Sequence, residues 1–117
     1  MTLHMTELTV RDAATSARWY AETLGFVVEL ADAANGFVLL GHPGGGRLAL
    51  KVGDPVASGV KLHVHVGDLD GHVARLHKMG VAFDGGAKVS AEGYRRVKLR
   101  DPDGVTVVLF EWCRPGS

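Results

Sequence analysis

The 117-residue sequence predicts an α+β fold of two tandem β-α-β-β-β modules, whose strands form a curved mixed sheet around a central cup. The first observation behind this prediction is an internal repeat. Each half begins with an alternating apolar stretch, then an aspartate, a helical pattern, a glycine and further short apolar runs. Asp12 and Gly25 mark these positions in the first half, and Asp68 and Gly80 mark them in the second.

The second observation is that each aspartate and glycine pair has the chemistry of helix ends. An aspartate before a helix accepts hydrogen bonds from the free N–H groups of the first turn. A glycine after a helix adopts the left-handed conformation that ends it. Apolar residues recur between them at helical spacing. They are Ala17, Tyr20 and Leu24 in the first half, and Leu69, Val73, Leu76 and Met79 in the second.

The remaining apolar runs are of strand length, and turns rich in Gly, Asp, Asn and Pro separate them. After the first helix we predict strands at "FVVEL", "GFVLLG" and "RLALKV"; after the second, at "VAFDG", "RRVKLR" and "VTVVLFEW". One domain, 1–117, therefore contains module one at 1–52, a linker at 53–59 and module two at 60–113.

Alternation along the strands predicts which side chains line the cup, because successive residues point to opposite faces. Leu8 and Val10, and their counterparts Leu62, Val64 and Val66, are expected to face the helices. The cup is then lined by Met5, Glu7, Lys61, His63 and His65. On the last strand, Phe110 and Trp112 share the parity of Val108 and are expected at the cup or its rim, as ligand contacts or as packing and dimer contacts.

Composition argues against several classes of partner. The 13 basic and 13 acidic residues cancel, so charge gives no reason to expect binding to nucleic acid or to an anionic membrane. Cys113 is the single cysteine and excludes an intramolecular disulfide. The N-terminus shows no signal-peptide pattern, and no apolar run is long enough to span a bilayer. We therefore expect a cytoplasmic protein.

Three stretches, "LTVRDAATSARWYAETLGF", "HVGDLDGHVARLHKMGV" and "LRDPDGVTVVLFEW", resemble the vicinal oxygen chelate superfamily over nearly the whole chain. That superfamily contains glyoxalase I, extradiol dioxygenases, fosfomycin-resistance enzymes and the bleomycin-resistance binding proteins. The resemblance implies that metal-using members would place ligands at the positions of Met5, Lys61 and Val108. A thioether is a poor ligand for the divalent ions these enzymes use, an ammonium repels cations and valine cannot coordinate. We therefore expect no metal and no other cofactor.

The sequence thus predicts a metal-free small-molecule binding protein of the bleomycin-resistance type, with a role in antibiotic resistance and a partly aromatic ligand. Two alternatives stay open. One is a metal-dependent lyase, isomerase or dioxygenase with its metal at Glu7, His63 and His65. The other is a metal-free enzyme that uses Glu7 or His63 as a general base. We also expect a homodimer, because a single cup would leave sheet edges and an aromatic rim exposed.

Overall fold

The computed structural model describes residues 1–113, and these form two compact units. Unit one comprises Met1–Ala57 together with Asp101–Asp103. Unit two comprises Ser58–Arg100 and the segment that begins at Gly104. Each unit has one α-helix and one four-stranded mixed sheet, which confirms the α+β class. No helix in the described part of the chain is long and apolar enough to cross a membrane.

Unit one contains β1 (Thr6–Val10), α1 (Ala13–Leu24), β2 (Val27–Asp32), β3 (Phe37–Gly41) and β4 (Arg47–Val52). The strand order is β1-β4-β3-β2, with β1 parallel to β4 and the other pairs antiparallel. A short 3-10 helix, Ala33–Asn35, connects β2 and β3.

The predicted ends of the first helix are confirmed. Asp12 Oδ1 accepts a 2.9 Å hydrogen bond from the Thr15 amide, and this bond lowers the pKa of the Asp12 carboxyl. Gly25 ends α1 at φ 80°, in the left-handed region where glycine is favoured. The predicted apolar stripe is buried and includes Tyr20, which has no exposed surface.

Unit two contains β5 (Lys61–His65), α2 (Leu69–Lys78), β6 (Lys88–Val89), β7 (Tyr94–Arg100) and β8 (Thr106–Trp112). The order is β5-β8-β7-β6, with β5 parallel to β8. Asp68 Oδ1 accepts from the Gly71 amide at 3.1 Å, and Gly80 follows the helix at φ 86°. Leu69 and Leu76 are fully buried, whereas Met79 is 49% exposed because it lies beyond the last helical turn.

The strand predicted at "VAFDG", residues 81–85, is not formed. Only Phe83 makes a β-bridge there, to Leu99, and the regular pairing is the two-residue β6 further along. The segment ends in Gly85, which has φ 82°, and a left-handed residue interrupts an extended strand. The chain turns at Asp84. Its amide donates to the Lys98 carbonyl, and its side chain accepts from Arg100.

Candidate ligand-binding site

The opening strand of unit two presents the two histidines to solvent. Lys61, His63 and His65 are exposed, while Leu62 and Val64 between them are half-buried. This confirms the alternation predicted for the strand. The imidazoles are therefore available to a bound molecule and are not part of the core.

Strand register extends this face across the sheet. His65 pairs with Phe110 of β8, and Phe110 pairs with Arg96 of β7. Trp112, the next residue of β8 on the same side as Phe110, pairs with Tyr94 of β7. Directly paired residues project from the same side of a sheet. This side, which we call the aromatic–basic face, is formed by Lys61, His63, His65, Tyr94, Arg96, Lys98, Arg100, Thr106, Val108, Phe110 and Trp112.

Phe110 is at the centre of a ring cluster on this face. Its centroid lies 5.2 Å from that of Tyr94, 5.3 Å from His65, 5.4 Å from Trp112 and 6.3 Å from His63. Tyr94 and Trp112 also meet edge to face at 5.5 Å. Phe110 is half-buried and Trp112 is 49% exposed, so the cluster is packed internally and still offers flat aromatic surface to solvent.

Val108 occupies the same face but offers no surface to a ligand. It lies between His63 and Lys98 in the strand register, and it is 1% exposed. The neighbours Val107 and Leu109, which project from the opposite side of β8, are buried as well. Val108 therefore acts as packing beneath the exposed side chains.

The remaining two residues of the predicted site belong to unit one. Met5 precedes β1 and is 37% exposed. Glu7 is exposed on β1, beside Ala49 of β4, while Leu8 and Val10 of the same strand are buried. The alternation predicted for this strand is also confirmed.

Sequence reasoning missed the basic part of the face. Arg96, Lys98 and Arg100 alternate along β7 and, with Lys88 of β6, line a pocket of about 330 Å³ that also includes Asp84 and Gly86. The overall charge of zero gave no indication that basic side chains are grouped on these two strands. The available signal was the basic residue at every second position of "RRVKLR". Tyr94 was missed because the predicted strand "RRVKLR" begins at the residue that follows Tyr94.

Arg95 lies between Tyr94 and Arg96 in sequence, and its side chain projects from the opposite side of the sheet. Its guanidinium contacts Glu111 at 2.9 Å and Asp70 at 3.0 Å. The hydrogen bond that Arg95 donates to Asp70, together with the charge of both carboxylates, raises the pKa of Arg95. Glu111 Oε2 also accepts from the Leu69 amide at 3.3 Å, so this network connects the start of α2 to β7 and β8.

The residues at the superfamily's metal positions do not fit a metal ion. The ammonium of Lys61 shares its face with that of Lys98, and two positive charges oppose binding of a cation. Val108 has no donor atom. Among residues 1–113, no group of three His, Cys, Asp or Glu side chains could hold a metal.

Family comparison agrees with the architecture of both units. The sequence profile of the Glyoxalase/Bleomycin resistance protein/Dioxygenase superfamily matches residues 2–109. The chain belongs to this superfamily. The match includes His63, His65 and Tyr94 of the ring cluster and ends one residue before Phe110. No curated protein matches this superfamily member in sequence.

Solved structures of the superfamily show the same fold. A glyoxalase/bleomycin resistance protein/dioxygenase from Nocardioides has a TM-score of 0.81 at 21% identity, over 100% of this chain and 87% of that one. A member from Sphaerobacter thermophilus has a TM-score of 0.79 at 24% identity, over 95% and 97%. TnmS3, described as an antibiotic binding protein from Streptomyces sp. CB03234, has a TM-score of 0.78 at 26% identity, over 96% of each chain.

Proposed function

We propose that this superfamily member is a metal-free binding protein of the bleomycin-resistance type, which holds a small, partly aromatic molecule on the aromatic–basic face. The observation that carries the proposal is the ring cluster around Phe110, which leaves Trp112 half exposed. The description of TnmS3 as an antibiotic binding protein supports the same class of ligand. A role in antibiotic resistance is part of this proposal.

The cluster suits a flat ligand for physical reasons. Apolar surface in contact with water is unfavourable, by about 25 cal/mol for each Å² that could be buried. An aromatic ligand that covers Trp112 and the edge of Phe110 removes such area. Each favourable ring pair adds about 0.5–1.5 kcal/mol beyond burial. His63 and His65 on the neighbouring strand then supply hydrogen-bonding groups that orient the molecule.

The chain carries its own fluorescent reporters for this proposal, because it has two tryptophans, Trp19 and Trp112. Trp19 lies on α1, with its ring 4.9 Å from that of Tyr20. The variant Trp19→Phe keeps only the reporter on the aromatic–basic face, and Trp112→Phe keeps only the reporter on α1. Each variant is titrated with a panel of naphthalene, quinoline and indole derivatives.

We expect saturable quenching in Trp19→Phe and none in Trp112→Phe at the same concentrations. Phe110→Ala in the Trp19→Phe background removes the central ring, and we expect about a tenfold loss of affinity or more, since several ring contacts disappear together. Equal quenching in the two single-tryptophan variants, or none across the panel with calorimetry also silent, would refute the proposed function.

A further inference from the structure

We propose that Lys88, Arg96 and Lys98 form an oxyanion subsite beside the ring cluster, so that the ligand is an aromatic molecule bearing a carboxylate, sulfate or phosphate group. The inference rests on the proposed function, because it specifies the chemistry of the ligand at that site. It concerns the side chains that line the 330 Å³ pocket on β6 and β7.

The first step in the argument is the charge balance of this pocket. Of its four basic side chains, Arg100 alone has a carboxylate partner among residues 1–113, with its Nε 2.8 Å from Asp84 Oδ2. Within the described chain, Lys88, Arg96 and Lys98 form no ion pair. Four positive charges therefore line a pocket with one carboxylate, that of Asp84, which Arg100 already binds, although the protein as a whole is neutral.

The second step is that these charges are close enough to repel one another. Lys88 is the register partner of Arg96, and Lys98 follows Arg96 on the same side of β7. The charge of Arg96, then that of Lys61, lowers the pKa of the Lys98 ammonium, with burial and Lys88 acting in the same direction. Like charges on neighbouring strand positions are unfavourable, and a bound anion removes the repulsion.

The third step is the connection to the ring cluster. Arg96 pairs directly with Phe110 across β7 and β8, and such residues have Cα atoms about 5 Å apart. An aromatic ring placed on Phe110 therefore has its substituent within reach of the Arg96 guanidinium. A guanidinium binds an oxyanion through two parallel hydrogen bonds, and the two ammonium groups add charge without constraining geometry.

Protection of a sheet edge explains only part of this charge. Lysines are common on edge strands because they discourage pairing with other chains. Lys88 fits that explanation, since β6 is the edge of its sheet. Arg96 does not, because β7 lies between β6 and β8 at that point. Lys98 does not either, because its carbonyl already accepts from the Asp84 amide on the outer side of β7.

A matched pair of probes tests the inference. Naphthalene-2-carboxylate and naphthalene-2-carboxamide have nearly the same shape, and only the first is charged. Calorimetry at low ionic strength is expected to give at least tenfold tighter binding of the carboxylate, as a charge-assisted contact requires. Arg96→Met and Lys98→Met should each reduce that preference severalfold. Lys78→Met, which removes an exposed charge from the end of α2, should leave it unchanged.

A titration with inorganic sulfate, monitored by NMR through the Arg96 side-chain N–H signal, tests the subsite without an aromatic ligand. It therefore distinguishes failure of this inference from failure of the proposed function. Equal affinity for both naphthalenes, with no response to sulfate, overturns the oxyanion subsite and leaves the aromatic site standing. A saturable sulfate response without binding of either naphthalene supports the subsite and overturns the proposed function. A carboxylate preference that survives both Arg96→Met and Lys98→Met also overturns the subsite.

Discussion

The Tyr20 hydroxyl donates a 2.6 Å hydrogen bond to Oδ2 of Asp101, a residue 81 positions further along the chain. Both side chains are buried, at 0% and 5% exposure. Asp103 reinforces the contact by accepting from the Ser16 hydroxyl at 3.3 Å and from the Arg11 amide at 3.2 Å. These bonds explain why Asp101–Asp103 belong to unit one, although the flanking strands β7 and β8 belong to unit two.

The Tyr20–Asp101 bond is expected to stabilise the fold. Tyr20→Phe removes the hydroxyl and leaves one oxygen of a buried carboxylate without that donor. A hydrogen bond to a charged group contributes about 1.5–3 kcal/mol, and we expect the free energy of unfolding to fall by about that amount in urea titrations. Tyr94→Phe is the matched control, because the Tyr94 hydroxyl has no hydrogen-bond partner in the described chain. A similar loss in both variants would contradict the assignment.

The same bond predicts a loss of stability in alkali. Burial, followed by the bond to Asp101, raises the pKa of Tyr20 above its usual value of 10.0. Above that pH the unfolded chain releases the phenol proton while the folded chain retains it. Stability should therefore be unaffected by Tyr20 below pH 10, then fall by up to about 1.4 kcal/mol for each pH unit. Chemical unfolding from pH 9 to 11 should show a shallower decline for Tyr20→Phe, and parallel curves would argue against the raised pKa.

Arg95 and Arg96 are adjacent in sequence, yet we expect opposite effects of their removal. Arg95 contacts both Asp70 and Glu111, so Arg95→Met leaves two carboxylates without their cation and should lower the Tm. Arg96 lies beside Lys88 and Lys98 and forms no ion pair in the described chain, so Arg96→Met should leave the Tm unchanged or raise it. Differential scanning calorimetry decides the point. A lower Tm for Arg96→Met than for Arg95→Met would contradict the assignment of Arg95 and Arg96 to their respective faces of β7.

Self-association remains a prediction from the sequence, and Trp112 gives it a test. Trp112 is 49% exposed, and an exposed aromatic side chain is suited to a dimer contact as well as to a ligand. We expect a homodimer by light scattering over micromolar concentrations. If Trp112→Ala remains dimeric while aromatic probes no longer bind, the ring serves the ligand. A monomeric parent protein would rule out the homodimer.

The sequence contained the helix ends and most strands because those signals are local. Asp12, Gly25 and Asp68 act on backbone groups within a few residues, and alternation placed His63 on the exposed side of its strand. The failed strand at 81–85 shows the limit, since its apolar residues were outweighed by Gly85 in a left-handed conformation.

The site was harder to predict because it depends on pairing between distant strands. Phe110 and Trp112 were found by parity along β8. Tyr94 and Arg96 become their neighbours only through the antiparallel register of β7 and β8, which no local pattern specifies. The burial of Val108 has the same origin, because a strand's position inside its sheet is a property of the assembled fold.

The lowered pKa of Lys98 makes the oxyanion subsite sensitive to alkaline pH. Its neighbours Arg96 and Lys61 disfavour the charged ammonium, so the free protein loses this proton below the usual value of 10.5. A carboxylate ligand binds the charged form. The affinity for naphthalene-2-carboxylate should therefore be highest at neutral pH and fall as pH rises through the lowered pKa, and binding in that range should take up protons. Calorimetry in buffers of different ionisation enthalpy measures this uptake. Lys98→Arg keeps its charge throughout and should retain affinity at neutral pH and show a smaller decline in alkali, whereas an unchanged decline in that variant would assign the titrating group elsewhere.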